Sequence, residues 1–243
     1  MKRQGGATRI LLYNWPAFVG TWALAALLVS AALRWEALAP LALAGAVAVA
    51  WSLVALGVSA YVYDRSGLVE AEWLPADVRS TPTWATIHAG LDAEVDVDRV
   101  MQGDCIARLD VFERGTMTSG SIARARRRTA HTRAALSCSP TALSLADGPC
   151  GAVIVAFTAH EIRDERARER FFHELERVLR PGGKVVLVEH VRDVMNFLAF
   201  GPGYLHFLPR AEWLRLAASA GLRVASETRI TPWVRALALE RGA

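Results

Sequence analysis

The sequence predicts an α/β three-layer sandwich preceded by a hairpin of two membrane-spanning helices. The sandwich is indicated by a strand–helix–strand unit from Ala152 to His190 and by the alternating strand and helix patterns around it. The hairpin is indicated by two long uncharged runs in the first third of the chain. Hydrophobic residues make up 53% of the 243 residues, which is high for a wholly soluble protein and favours a membrane segment.

The strand–helix–strand unit opens with the apolar run 152–157, which lacks polar alternation, as expected for a strand buried on both faces. In the charged segment from Asp164 to Leu179, the apolar residues recur on one helical face. The sequence Arg180-Pro181-Gly182-Gly183 predicts the end of this helix, because proline cannot continue a helix and glycine allows the positive φ of a tight turn. A second apolar run, 184–188, then predicts the parallel strand of a right-handed crossover.

The two uncharged runs span residues 17–33 and 37–63. Crossing about 30 Å of hydrocarbon takes roughly 20 apolar residues, so the first run is near the lower limit and the second is long enough. The short turn between them makes the two spans antiparallel. Basic residues before the first run outnumber the single Arg34 in the turn, which predicts that both termini and the C-terminal domain are cytoplasmic. The predicted location is therefore the inner (cytoplasmic) membrane.

The chain divides into three predicted parts: the transmembrane hairpin 1–65, a linker 66–83 that lies along the membrane surface, and the α/β domain 84–243. Two other interpretations of the hairpin stay open. The small residues at 29–32 are compatible with a cleaved signal peptide. A hairpin buried in the core of a soluble protein is the second alternative, although the charge-free length of the second run weighs against it.

The net charge of +4 is modest, and the basic residues concentrate at Arg124–Arg128, followed by His131 and Arg133. Such a block binds nucleic acid or anionic lipid. Without a recognition motif or interleaved aromatic residues, we expect no nucleic-acid partner, whereas an anionic leaflet and a solvated helix face both remain open. The three cysteines lie far apart with no paired spacing, so we predict neither a disulfide framework nor a metal site.

The order of strand, His-Glu, charged helix, Arg-Val-Leu-Arg-Pro-Gly-Gly-Lys, strand and Glu-His resembles the later half of class I S-adenosylmethionine-dependent methyltransferases. The final helix and two-strand hairpin are similar as well, so the likeness covers roughly 84–241. This resemblance implies a Rossmann-like, mostly parallel seven-stranded sheet whose last strand is antiparallel. It also implies S-adenosylmethionine as the cofactor, bound at the carboxyl ends of the first strands, in agreement with the general rule for open α/β sheets.

The resemblance also implies the cofactor site. The family's glycine-rich turn corresponds to 87–92, where Gly90 is the only glycine. The acidic residue that binds the ribose hydroxyls in the family is best matched by Asp110, and the end of the fourth strand borders the methionine part. The residues predicted to bind the cofactor are therefore His88, Ala89, Gly90, Asp110, Phe157 and Thr158.

His160 lies just beyond the fourth strand, on the side where the resemblance places the methyl acceptor. Its ordinary pKa near neutrality makes it the candidate general base. The other interpretation is a structural histidine that bonds a loop carbonyl, and Glu189-His190 is a second candidate for the same catalytic role.

We therefore predict a membrane-anchored methyltransferase with a small, apolar or lipid-like acceptor. The hairpin and the apolar segment 194–208, predicted as a lid or a second membrane contact, motivate this function. The alternative is a non-catalytic methyltransferase-like domain that acts as a membrane-bound scaffold or partner-binding module, which the single glycine of the turn motivates. A dinucleotide-dependent reductase is disfavoured because no G-x-G-x-x-G turn follows the first strand. The sequence makes no prediction of oligomeric state.

Overall fold

The computed structural model describes residues 5–90, 95–128 and 135–242. Its helices are α1 (Gly6–Ala32), α2 (Ala39–Asp64), α3 (Ala76–Arg79), α4 (Gly120–Arg128), α5 (Glu165–Val178), α6 (Val194–Phe200) and α7 (Arg210–Ser219). Its strands are β1 (Thr83–His88), β2 (Asp104–Asp110), β3 (Leu136–Ser137), β4 (Cys150–Ala156), β5 (Leu179–His190), β6 (Leu222–Arg229) and β7 (Val234–Arg241).

The seven strands form one sheet in the order β3-β2-β1-β4-β5-β7-β6. Strands β1 to β5 run parallel, whereas β7 is antiparallel to both of its neighbours. The predicted Rossmann-like, mostly parallel seven-stranded sheet with an antiparallel closing hairpin is thus confirmed. Chain order reverses between β1 and β4, so the carboxyl ends of these strands border the crevice where open α/β sheets bind ligands.

The central unit follows the local sequence signals closely. Asp164 caps α5, since its Oδ1 accepts a hydrogen bond of 2.7 Å from the backbone N–H of Ala167. The apolar face of α5 is fully buried against the sheet. One boundary differs from the prediction: β5 begins at Leu179, directly after the helix, so the stretch 180–183 lies within the strand range as a pairing irregularity.

Helices α1 and α2 form the predicted antiparallel hairpin. Both are long and apolar enough to cross a membrane, and only 6% of the most apolar window of each is buried. This low burial distinguishes them from the core helices of the domain. Helix α1 is bent at Asn14, whose backbone is not helical, two residues before Pro16. Helix α1 pairs with α2, and before the bend it also contacts the domain, where the Tyr13 carbonyl oxygen accepts a hydrogen bond from Arg124 of α4. That the hairpin lies in a bilayer stays a prediction.

Residues 66–83, predicted to be a linker, pack on one face of the sheet, and their position along a membrane surface stays a prediction. Leu68, Leu74 and Val78 are at most 2% exposed and share a core cluster with Val62 at the end of α2. Their spacing follows neither a strand nor a helix period, which is why the sequence pattern indicated only a linker. The hairpin is therefore continuous with the core of the α/β domain.

The apolar segment 194–208 lies against the hairpin. Trp51 of α2 donates a hydrogen bond of 2.8 Å from its indole N–H to the carbonyl oxygen of Leu198, and its ring meets Phe197 edge-on at 5.3 Å. Leu198 and Leu205 remain more than half exposed beside the hairpin. Phe200 and Phe207 at the inner side border a cavity, whereas the predicted membrane contact of this segment stays a prediction.

Candidate active site

The predicted cofactor residues meet at the carboxyl edge of the sheet. His88 ends β1, Asp110 ends β2, and the two are paired in register. Gly90 follows with φ of +105°, a conformation that favours glycine. Asp110 is 6% exposed, and its carboxylate accepts two hydrogen bonds of 2.8 Å from the guanidinium of Arg126 and one of 3.1 Å from the Phe112 N–H.

Arg126 also covers the glycine turn. A Cβ atom placed on Gly90 would lie 2.5 Å from Cγ of Arg126, so only glycine allows this close approach. Burial acts to raise the pKa of Asp110, but the hydrogen bonds from Arg126 and Phe112 outweigh it and hold the pKa below its usual range. Asp110 is therefore ionised at neutral pH, with Arg126 as its counter-ion.

The basic block is not a uniform surface patch. Arg126 points inward to Asp110, and Arg124 donates a hydrogen bond from Nε to the carbonyl oxygen of Tyr13, next to the bend in α1. Arg127 and Arg128 are exposed. Arg124 and Arg126, which were predicted to face a membrane or solvent, thus make contacts inside the protein instead. His131 and Arg133 lie outside the described residues.

The residues of this edge fit S-adenosylmethionine in two respects. Gly90 leaves the backbone open to close approach, and Oδ2 of Asp110 keeps a lone pair for a ribose hydroxyl beside its bond to Arg126. At the end of β4, Phe157 has φ of +50°, which is strained for a residue other than glycine. Thr158 is fully buried and its hydroxyl donates to the Ala156 carbonyl at 2.8 Å, so it does not reach the cavity.

A cavity of about 490 Å³ opens between this edge of the sheet and the helical hairpin. Its size lies in the range of small-molecule sites. One wall consists of residues that follow β4 and β5, and the opposite wall consists of α1 and α2. Its principal lining residues are Tyr13, Ala17, Phe18, Ala55, Ser59, Tyr63, Phe157, His160, Glu161, His190, Phe200, His206 and Phe207.

His160 lies in the cavity wall between two carboxylates. Its Nδ1 is 2.6 Å from Glu189 Oε2 and its Nε2 is 3.5 Å from Glu161 Oε1. Burial acts to lower the pKa of His160, but the two carboxylates outweigh it and raise the pKa to about 10. His160 with these neighbours is a cation at neutral pH. It therefore does not meet the requirement for the general base that the sequence predicted.

His190 has the opposite electrostatic character. Burial, with the nearby cation of His160, lowers the pKa of His190 to about 4, so the ring is neutral at physiological pH. Its Nδ1 lies 3.0 Å from the carbonyl oxygen of Trp233, which can only accept, so Nδ1 carries the proton. Its Nε2 is then free to accept from the hydroxyl of Tyr63 at 3.0 Å. His190, the second candidate from the sequence, is the better proton acceptor.

The sequence did not single out Tyr63, Arg126 or His206 as site residues. Tyr63 was interpreted as an aromatic residue at the end of a membrane span, and Arg126 as one of a basic block. His206 follows α6 and contacts Glu161 at 3.3 Å. No local pattern connects these residues, since Tyr63 and His190 are separated by 127 positions.

Comparisons with known proteins agree with this geometry. A family model described as a methyltransferase domain matches residues 116–187. The fold is similar to a SAM-dependent methyltransferase from Aquifex aeolicus, with a TM-score of 0.53, 16% identity, and coverage of 74% of this chain and 90% of that one. It is also similar to a SAM-dependent methyltransferase from Thermotoga maritima, with a TM-score of 0.50, 18% identity, and coverage of 79% and 93%.

A third similar structure is geranyl diphosphate C-methyltransferase from Streptomyces coelicolor, solved with Mg²⁺, geranyl diphosphate and S-adenosyl-L-homocysteine. Its TM-score is 0.50 at 15% identity, with 71% of this chain and 78% of that one covered. No curated protein sequence matches the chain. The chain has the fold of class I methyltransferases, as the resemblance implied, and the domain match over 116–187 supports S-adenosylmethionine as its cofactor.

Proposed function

We propose that the chain is a membrane-anchored S-adenosylmethionine-dependent methyltransferase that acts on a small, apolar or lipid-like acceptor. The observation that carries this proposal is the construction of the cavity. One of its walls lies at the edge of the sheet where a class I methyltransferase binds its cofactor, and the other is built by two helices long enough to span a membrane. An acceptor dissolved in the bilayer would therefore reach the reaction site along the hairpin.

The exposed surface of the hairpin supports an anchor in the bilayer. Large apolar side chains on both helices of the hairpin are exposed: Leu24, Leu27 and Leu43 are each more than half exposed. Exposure of so much apolar surface to water is unfavourable. The half-exposed leucines of the segment 194–208 extend this apolar surface toward the domain. The excess of basic residues before α1 favours an orientation with both termini and the domain on the cytoplasmic side.

The cofactor would be held by the turn 88–90, by Asp110 and by Phe157. When bound, S-adenosylmethionine supplies an electrophilic methyl group. Gly90 allows the backbone to approach it closely, and Asp110 accepts hydrogen bonds from hydroxyl groups. Arg126 takes up space beside both residues, so we expect the guanidinium to shift when the site is filled.

The cavity positions the acceptor, and Tyr63 and His190 receive its proton. Methyl transfer depends mostly on proximity and alignment, which a mostly apolar cavity beside the cofactor edge can provide. If the acceptor is a hydroxyl or a thiol, its proton moves to the Tyr63 oxygen while the Tyr63 proton moves to His190 Nε2. The neutral His190 is then converted to a cation, with Nδ1 still bonded to the Trp233 carbonyl.

Calorimetry with S-adenosylmethionine on the full chain in detergent tests the cofactor part. We expect saturable binding and a rise in the melting temperature that grows with the logarithm of the cofactor concentration. Asp110→Ala should lose both signals. Neither heat nor thermal stabilisation at millimolar cofactor would contradict the proposed activity and would favour the non-catalytic alternative, which the comparisons do not favour.

Transfer of a radiolabelled methyl group tests the acceptor part. The full chain is incubated with labelled S-adenosylmethionine and a lipid extract, and the organic phase is counted; Tyr63→Phe serves as the variant without the hydroxyl. We expect label in the organic phase and a lower rate in the variant. Label found only in water-soluble products would exclude a lipid-like acceptor.

The orientation in the membrane is tested separately. A reporter that is active only outside the cytoplasm, fused to the C-terminus, should stay silent.

A further inference from the structure

Three side chains with metal-binding atoms converge in the cavity wall. His160 and Glu161 lie on the short turn 159–161 after β4, and His206 lies at the end of the turn 201–206 after α6. One ligand atom from each residue lies within 4.8 Å of the other two. His160 and Glu161 are at most 5% exposed, while His206 is partly open to the cavity.

The separations within this cluster are those of ligands around one ion. Glu161 Oε1 is 3.3 Å from His206 Nε2 and 3.5 Å from His160 Nε2. These distances are long for N–H···O hydrogen bonds, which are typically about 2.7–3.2 Å. Two ligands about 2.1 Å from a tetrahedral Zn²⁺ ion lie about 3.4 Å apart. The separation of the carboxylate oxygen from each imidazole nitrogen therefore matches the separation of two ligands bound to one ion.

Glu189 supports His160 from behind. Its Oε2 is 2.6 Å from Nδ1 of His160, on the ring nitrogen that points away from the cluster. Histidines that bind metal ions usually donate their other N–H to a carboxylate, which fixes the ring and makes the ligating nitrogen more basic. The pair of Glu189 and His160 has this arrangement, with Nε2 directed toward Glu161.

One carboxylate oxygen in the cluster lacks a partner. Oε2 of Glu161 is buried and has no hydrogen bond from any described residue. A buried, ionised oxygen without a partner is destabilising, because it has lost the hydrogen bonds that water would supply. A cation bound by Glu161 would supply this oxygen with a partner.

We propose that His160, Glu161 and His206 bind a divalent transition-metal ion of the Zn²⁺ type. Two imidazoles and one carboxylate form the ligand set of zinc sites that keep one position open. That position faces the cavity, where a water molecule or an acceptor hydroxyl or thiol would occupy it and lose its proton more easily. The inference goes beyond the proposed methyl transfer and does not depend on it.

Metal binding requires two local changes. His160, a cation without the ion, would release its Nε2 proton to the solvent as the ion binds. The guanidinium of Arg163 contacts the imidazole of His206 and donates a hydrogen bond of 2.9 Å to the His206 carbonyl oxygen. Arg163 would have to leave the ring nitrogen to the ion, and its bond to the carbonyl can hold it nearby as it does so. His206 is the ligand with the most freedom to adjust, because its side chain is 33% exposed whereas those of His160 and Glu161 are buried.

Metal content is the direct test. The full chain without a histidine tag is purified in detergent, treated with a chelator, dialysed and titrated with ZnCl₂ in a calorimeter. We expect one equivalent of zinc to bind, and Co²⁺ in its place to give the visible absorption of a four-coordinate site. Absence of zinc binding by the folded protein would overturn the proposal.

Matched variants locate the ion. Glu161→Gln, which keeps the shape of the side chain, and His206→Ala should each lose stoichiometric binding. Glu189→Gln should weaken it about 10–100-fold. His173→Ala is the control, because His173 is exposed on α5 and far from the cluster in the chain.

Melting temperatures without metal show whether each variant folds. If His206→Ala does not fold, the zinc affinity of Glu161→Gln tests the assignment. Unchanged zinc affinity in Glu161→Gln would overturn the assignment. Calorimetry with S-adenosylmethionine on the metal-free protein keeps failure of the metal site distinct from failure of the proposed methyltransferase.

Discussion

Arg126 donates one hydrogen bond of 2.8 Å to each carboxylate oxygen of Asp110, at the position where the ribose hydroxyls of the cofactor are expected. The side chains of Arg126 and Asp110 are 20% and 9% exposed, so the pair is largely shielded from water. The same arginine lies over Gly90. One residue thus stabilises the buried carboxylate and also takes up space at the turn that the cofactor must approach.

We predict that Arg126→Ala binds S-adenosylmethionine several-fold more tightly than the wild type but is less stable. Affinity rises because the cofactor no longer has to displace the guanidinium. Stability falls by about 1–3 kcal/mol, because the buried Asp110 carboxylate loses its charged partner. Calorimetry measures the first effect and chemical unfolding the second.

Arg127→Ala is the control for this experiment, since Arg127 is exposed on the same helix. It should leave both affinity and stability unchanged. If Arg126→Ala instead abolished cofactor binding in a protein that still folds, Arg126 would be a cofactor ligand rather than a competitor.

We predict that His190 makes the protein less stable as the pH falls from about 6.5 to about 4. The folded-state pKa of His190 is lowered to about 4, so the unfolded chain takes up a proton at a pH where the folded protein does not. The stability that the neutral His190 contributes is fully present above pH 6.5 and is lost as the pH falls from about 6.5 to about 4. A shift of this size corresponds to a loss on the order of 3 kcal/mol.

The comparison with His190→Gln isolates this effect, because other titrating groups are common to both proteins. The difference in unfolding free energy between wild type and variant should fall between pH 7 and pH 4, measured by urea unfolding at several pH values. A difference that stays constant across the range would show that His190 is not held neutral by the fold.

We predict that Gly45→Leu destabilises the hairpin and that Gly20→Leu does not. A Cβ atom at Gly45 would lie 3.1 Å from Cα of Ala25, so a leucine there forces α1 and α2 apart. Gly20 has no atom within 4 Å of such a Cβ, and leucine also favours the helix more than glycine does. Melting temperatures of both variants in detergent should separate them; equal values would contradict the close packing.

Much of the fold was predictable because its signals are local. The apolar run of β4, the capping Asp164 and the one-sided face of α5 each lie within a few residues, and each agrees with the observed sheet. The burial of the segment 66–83 was harder to predict, because its buried residues show no period. Burial of such residues depends on the sheet they cover, which only the tertiary structure supplies.

The candidate site was predictable in position but not in chemistry. His160 lies where the resemblance implied, yet its protonation depends on Glu189, which lies 29 residues away in sequence. Two carboxylates convert it from a base to a cation, while His190, bonded only to neutral groups, stays neutral. The protonation state of an ionisable residue depends on the residues that surround it in the folded structure, whereas a sequence motif contains only its neighbours along the chain.

We predict that Ala55→Phe reduces methyl transfer by blocking the acceptor without weakening the cofactor. Ala55 lines the cavity from α2, so a phenyl ring there fills space that a bulky acceptor needs, far from Asp110 and Gly90. The KM for the acceptor should rise at least several-fold, while the Kd for S-adenosylmethionine stays the same. Leu53→Phe is the matched control, since Leu53 on the same helix is 54% exposed and does not line the cavity. Equal kinetics in the two variants would mean that the acceptor does not enter between the hairpin and the sheet. A weaker cofactor affinity in Ala55→Phe alone would place the cofactor, not the acceptor, against α2.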